Sequence, residues 1–136
     1  MRLTTTFISV LISVIAVAAQ DAEPGCIRYS GGPNASEKAA VIAAFEKKYL
    51  PDGVYRPRPG EKLCIKCGNA EIRGTNQCAV TNRASREQVR KAFKDLPAGG
   101  NGCSNIIRIA QGADLGCLPV LLATADYYSP RCQFTC

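Results

Sequence analysis

Cys64 and Cys67 stand three residues apart in Lys62-Leu63-Cys64-Ile65-Lys66-Cys67, a spacing that allows three chemistries. A dithiol redox pair needs the N-terminus of a helix to lower the thiol pKa, and here Gly68-Asn69 breaks the chain at once. A zinc site would need a second pair, Cys132 and Cys136, to supply four thiolates. The third reading is two half-cystines in separate bridges. Lys62 to Cys67 alternates as a strand does, and residues three apart on a strand point to opposite faces, so each cysteine should reach a different partner.

Compartment decides among them. Arg2, the apolar run over residues 7–19 and Ala16-Val17-Ala18 read as a secretory signal, residues 1–19, followed by one domain over 20–136. Beyond the leader, the apolar stretch at 118–123 is short and holds Pro119, so no later segment would span a bilayer. All eight cysteines (Cys26, Cys64, Cys67, Cys78, Cys103, Cys117, Cys132 and Cys136) fall in the mature part. An even number in a secreted chain predicts four disulfides, with no metal and no cofactor. Which cysteine joins which stays open among on the order of a hundred pairings.

The chain has no histidine. That excludes Ser-His-Asp and Cys-His catalysis and His-ligated zinc hydrolases. A carboxylate pair could still cleave a glycoside, and Glu37, Glu46, Asp52, Glu61, Glu71, Glu87, Asp95, Asp114 and Asp126 are available. All read as solvent-facing or turn positions, and nothing nominates two of them. We therefore expect no enzyme.

Cations are the remaining candidates. Losing Arg2 leaves 16 basic against 11 acidic side chains, a net charge of +5 that favours anionic partners. Lys62, Lys66 and Arg73, with Arg56 and Arg58 on the preceding loop, form the candidate binding surface. Arg86, Arg90 and Lys94 form a second stripe that reads as an ordinary solvated helix edge. The basic segments carry only Tyr55 and Phe93 as aromatics, which argues against nucleic acid.

The elements that must position these residues follow from periodicity and punctuation. Residues 26–29 read as a strand. Asn34 and Glu37 have capping-box spacing, with Ser36 the competing cap, and Val41, Ile42, Phe45 and Tyr49 line one face of a helix to about Leu50. Asn34-Ala35-Ser36 is also a glycosylation sequon, where a glycan would compete with capping. Residues 54–60 read as an extended loop, 62–67 as the central strand, and 70–73 with 77–81 as a hairpin about Gly74-Thr75-Asn76.

Ser85 and Gln88 open a second helix buried through Val89, Ala92, Phe93 and Leu96. Residues 105–110 and 118–125 read as a closing antiparallel hairpin around loop 111–116, and the tail 127–136 as irregular, pinned by Cys132 and Cys136. The order predicts α+β: a disulfide-rich α/β sandwich with two helices on one face of an antiparallel sheet. Ile65, Val80, Ile107, Ile109, Val120 and Leu122 would be the sheet's share of the core.

Pro59-Gly60-Glu61, the lysine-bearing run after it and Cys67-Gly68 resemble the corresponding run of the smut-fungus killer toxin family, the calcium-channel-blocking type. The likeness continues loosely through a strand near Cys78, a helix, Gly102-Cys103 and Gly116-x-Leu118-x-Val120. It implies the same sandwich fold. It also implies a secreted monomeric toxin or effector that binds a membrane protein or anionic surface component of a competitor or host cell, inhibiting calcium channels. The alternative is a non-toxic effector or wall-associated binding module. The chain departs from the family in its longer alanine-rich first helix and in having no second cysteine beside Cys26. Ile65 stands where the family has its active lysine, with Lys66 one position on and on the other strand face.

Overall fold

The computed structural model describes residues 24–109 and 116–136. The leader, Asp114 and most of loop 111–116 lie outside the described residues. The fold is α+β, with two helices and four disulfides around a six-stranded sheet.

Its centre is a hairpin of β3 (Lys62–Cys67) and β4 (Ala70–Thr75), registered from Cys67↔Ala70 to Lys62↔Thr75. Two residues close it, and the first, Gly68, has φ 55°. Positive φ in the first central position is the type II′ pattern, whose twist suits a hairpin. This corrects the expected pairing, because β4 folds back on β3 and residues 77–81 form no strand. Val80 accordingly is not in the core and is 58% exposed.

A second hairpin, β6 (Asn101–Ile106) with β7 (Pro119–Thr124), pairs with β4 through β7 and with β1 (Gly25–Arg28) through β6. The expected hairpin is present, but its first strand begins at Asn101, and Ile107 and Ile109 lie beyond its end. The tail is not wholly irregular either. β8 (Phe134–Thr135) pairs with β3 in parallel, giving the order β1-β6-β7-β4-β3-β8. Every other pair is antiparallel, so the sheet is mixed because of this one short strand.

Both helices lie on the face formed by Leu63, Ile65, Ile72, Val120 and Leu122. α1 (Ala35–Tyr49) is capped by Asn34, whose Oδ1 accepts from Glu37 N at 2.9 Å while Glu37 returns a bond to Asn34 N at 2.8 Å. Ser36 is not the cap. The box uses only Oδ1, so it leaves out Nδ2, the atom that would carry a glycan. α2 (Arg86–Lys94) has the same box from Ser85 and Gln88. Val41, Phe45, Val89, Ala92, Phe93 and Leu96 are buried, and the Phe45 and Phe93 rings meet edge-on at 5.2 Å. Each such ring contributes about 1.5–3 kcal/mol by leaving water.

A small ladder of β2 (Val54–Tyr55) and β5 (Ala84–Ser85) joins the end of α1 to the start of α2. Residues 54–55, expected as loop, are thus paired strand. No helix among the described residues is long and apolar enough to cross a membrane.

Candidate functional site

The disulfides set the frame. Cys64 bonds Cys132 and Cys67 bonds Cys136, so the two cysteines of the central strand do take different partners. Cys26–Cys103 crosses β1 and β6, and Cys78–Cys117 ties the loop after β4 to the approach of β7. Among the described residues, Cys64, Glu71 and Cys132 are the group that could crowd a metal. Its two sulfurs are bonded to each other, so no thiolate remains for zinc.

The tail crosses the helix-free face of the sheet before β8, and Glu71 and Arg73 hold it there. Glu71 is 1% exposed, which corrects its reading as a surface carboxylate. Its Oε1 accepts from Arg73 Nε and from Tyr128 N, both at 3.4 Å. The Sγ of Cys132, in a disulfide and with no proton to give, lies 3.3 Å from Oε2. Arg73 donates onward to the carbonyls of Tyr128 (3.1 Å) and Pro130, and its guanidinium lies over the Tyr128 ring. Its side chain is only 17% exposed.

The five candidate cations therefore do not form one patch. Arg73 is engaged beneath the tail. Lys66 faces the same side but pairs with Asp126 at 3.1 Å. Lys62 lies four residues away along β3, roughly 13 Å. It is exposed, makes no ion pair among the described residues, and belongs with Arg56 and Arg58 at the other end of the strand.

That end is built by the 56–61 turn. Pro59 and Gly60, the latter at φ 74°, form its corner, where Glu61 N bonds Arg58 O at 3.0 Å and Glu61 Oε2 accepts from Arg58 N at 2.7 Å. Asn76 anchors it from below. Fully buried, Asn76 donates through Nδ2 to Pro57 O (2.8 Å) and Val80 O (3.0 Å) and accepts from Cys78 N (2.8 Å). Arg56 pairs with Asp52 at 2.6 Å, and its guanidinium holds the Asp52 carboxyl below the usual range.

The ladder ends at Tyr55↔Ala84, so Arg83 and Arg56 each flank its last pair. Arg56, Arg58, Lys62 and Arg83 are all exposed; Arg56 is paired with Asp52, and the Glu61 carboxylate is taken by Arg58 N. Sequence reasoning missed Arg83 because the 54–55/84–85 ladder is too short to leave a periodic signal. It also read Asn76 as a turn former only.

The other basic stripe is partly tied down. Arg90 makes two bonds to Glu46, at 2.7 and 2.9 Å, and Arg86 reaches the same carboxylate at 3.9 Å, so Glu46 clamps the two helices together. Lys38 donates to the carbonyls of Lys94 and Leu96 and caps the end of α2; burial lowers its pKa. Lys94 remains exposed.

No protein-family model, curated protein or solved structure matches the chain. The killer-toxin likeness therefore stands on the residues given above.

Proposed function

We propose that this is a secreted, disulfide-stapled, killer-toxin-like protein that acts by binding rather than catalysis. The end of the molecule bearing Arg56, Arg58, Lys62 and Arg83 docks on an anionic site at the surface of a competitor or host cell, such as the mouth of a cation channel. One observation carries this reading: the exposed cations Arg56 and Arg58 sit on a turn that buried Asn76 holds through Pro57 O, with exposed Lys62 directly after it. Fixed cations recognise an anionic site without the entropy cost of ordering a loop on contact. Secretion is supported by the leader and by the pairing of every cysteine, since disulfides persist in oxidising compartments.

Purified protein added to growing fungal or plant cells, with and without excess calcium, tests the reading. Growth inhibition relieved by calcium fits the channel form of the proposal. Surface binding without inhibition fits the non-toxic effector or wall-module alternative. Absence of any binding removes both.

A further inference from the structure

Asn34 uses its two side-chain polar atoms unequally. Oδ1 serves the first turn of α1, where it accepts from Glu37 N at 2.9 Å. Nδ2 makes no hydrogen bond among the described residues, and Asn34 is exposed. Capping does not need that nitrogen, because aspartate and serine cap helices equally well without an amide. It is free for other chemistry.

The two residues that follow complete a sequon, Asn34-Ala35-Ser36, with no proline inside it. Ser36 is exposed, and its hydroxyl is not spent on the cap. The backbone that carries the site is fixed. Asn34 is extended at φ −73°, ψ 175°, and follows buried Pro33. Gly32 N donates to Gly99 O at 2.9 Å and Gly99 N to Pro33 O at 2.6 Å, so the loop after α2 holds the entry to α1. The 15 residues of α1 span roughly 22 Å, which separates Asn34 from the helix end that leads into the 56–61 turn. The site is therefore well apart from the basic end.

We propose that Asn34 carries an N-linked glycan, and that the same side chain goes on capping α1 through Oδ1. The inference rests on the secretory reading, because this modification belongs to secreted chains. The donor is an oligosaccharide held on a lipid pyrophosphate. Nδ2 forms a bond to C1 of the first sugar while the C1–O bond breaks. The lipid pyrophosphate leaves with the electron pair, and Nδ2 gives up one of its two protons. The carbonyl oxygen is untouched, so a glycosylated Asn34 accepts from Glu37 N as a free one does. The competition between glycan and cap expected from the sequence would need the cap to use Nδ2, and it uses Oδ1.

The test expresses the full chain in a eukaryotic secretory host, once with its own leader and once with that leader replaced by one of the host's. Trypsin cuts after Arg28 and Lys38 and isolates the site in peptide 29–38. Treatment with peptide-N-glycosidase in heavy-oxygen water should leave a labelled aspartate there, read by mass spectrometry, and Ser36→Ala should abolish the label. Secreted protein whose peptide 29–38 is unmodified under both leaders overturns the assignment. Secretion and label with the host's leader alone support the glycan and reject the native leader, so the two failures are distinct. The shared use of Asn34 is read by melting. Glycosylated protein should unfold no lower than the same chain exported to a bacterial periplasm lacking the transferase, and Asn34→Ala made there should unfold lower than that chain. A glycosylated form that melts below its unmodified counterpart would mean that the glycan displaces the cap, and overturns the shared use.

Discussion

Glu71 and Arg73 stand two residues apart on β4 and leave the sheet from the same face, where Arg73 Nε lies 3.4 Å from Glu71 Oε1. Because Glu71 is buried and Arg73 bonds two tail carbonyls, this pair joins the tail to the sheet independently of the Cys64–Cys132 bridge. Arg73 thus belongs to the scaffold, although by sequence it stood among the binding cations.

Removing Arg73 should be costly. Arg73→Ala leaves a buried carboxylate without its counter-charge and should lose about 3 kcal/mol. Lys62→Ala, at an exposed position, should stay within about 0.5 kcal/mol. Chemical denaturation of both variants checks this, and equal costs would mean the pair does not hold the tail.

Tyr55 and Gly74 should be coupled. Tyr55→Phe removes an unpaired hydroxyl and should raise stability by about 1 kcal/mol. Gly74→Ala drives a Cβ toward that oxygen and should destabilise the fold. In the double variant the phenylalanine should recover part of the alanine's cost, a coupling that a double-mutant cycle reads directly. Additive effects would contradict the contact.

Much of this fold was legible because its signals are local. Both capping boxes, both buried helix stripes and the bounds of β3 follow from spacing within a few turns or one strand. The pairing of β4 was lost because two turn signals, Gly68-Asn69 and Gly74-Thr75-Asn76, flank the same strand. The tighter one makes the hairpin, while Asn76 goes inside to bind three backbone groups. β8 could not be foreseen, since two residues carry no period and disulfide pairing is not written in cysteine spacing. The basic end was half legible: Arg56, Arg58 and Lys62 are close in sequence, whereas Arg83 arrives only through the Tyr55↔Ala84 register.

Alkaline pH should weaken the fold. Burial raises the pKa values of Tyr55, Tyr49 and Tyr128 above their ordinary 10.0. A raised folded-state pKa means the native state holds its proton more tightly than the unfolded chain. Stability from these groups is therefore complete below about pH 10 and falls as pH rises beyond it. Tyr55→Phe should flatten that fall in a denaturation series across this range. An unchanged slope would mean Tyr55 titrates as freely in the native state as in the unfolded chain.

The two helices offer a graded comparison. Phe93→Ala should cost about 3–5 kcal/mol, because the ring is buried against Phe45. Arg90→Ala should cost far less, since its two bonds to Glu46 are made by an exposed side chain. Lys94→Ala should cost nothing measurable. Thermal or denaturant unfolding of the three orders them, and a different order would contradict the packing of α2.

The central claim is that Arg58 and Lys62 belong to a recognition surface and not merely to a solvated edge. Its most direct measurement is binding of fluorescently labelled protein to intact target cells, for wild type and for Arg58→Glu with Lys62→Glu, at low and high salt. The double variant should unfold within about 1 kcal/mol of wild type, since neither side chain makes an ion pair among the described residues. Wild type should bind, and bind less as salt shortens the screening length, while the charge-reversed protein should not bind at either salt concentration. A folded double variant that binds as wild type does at low salt would contradict the claim.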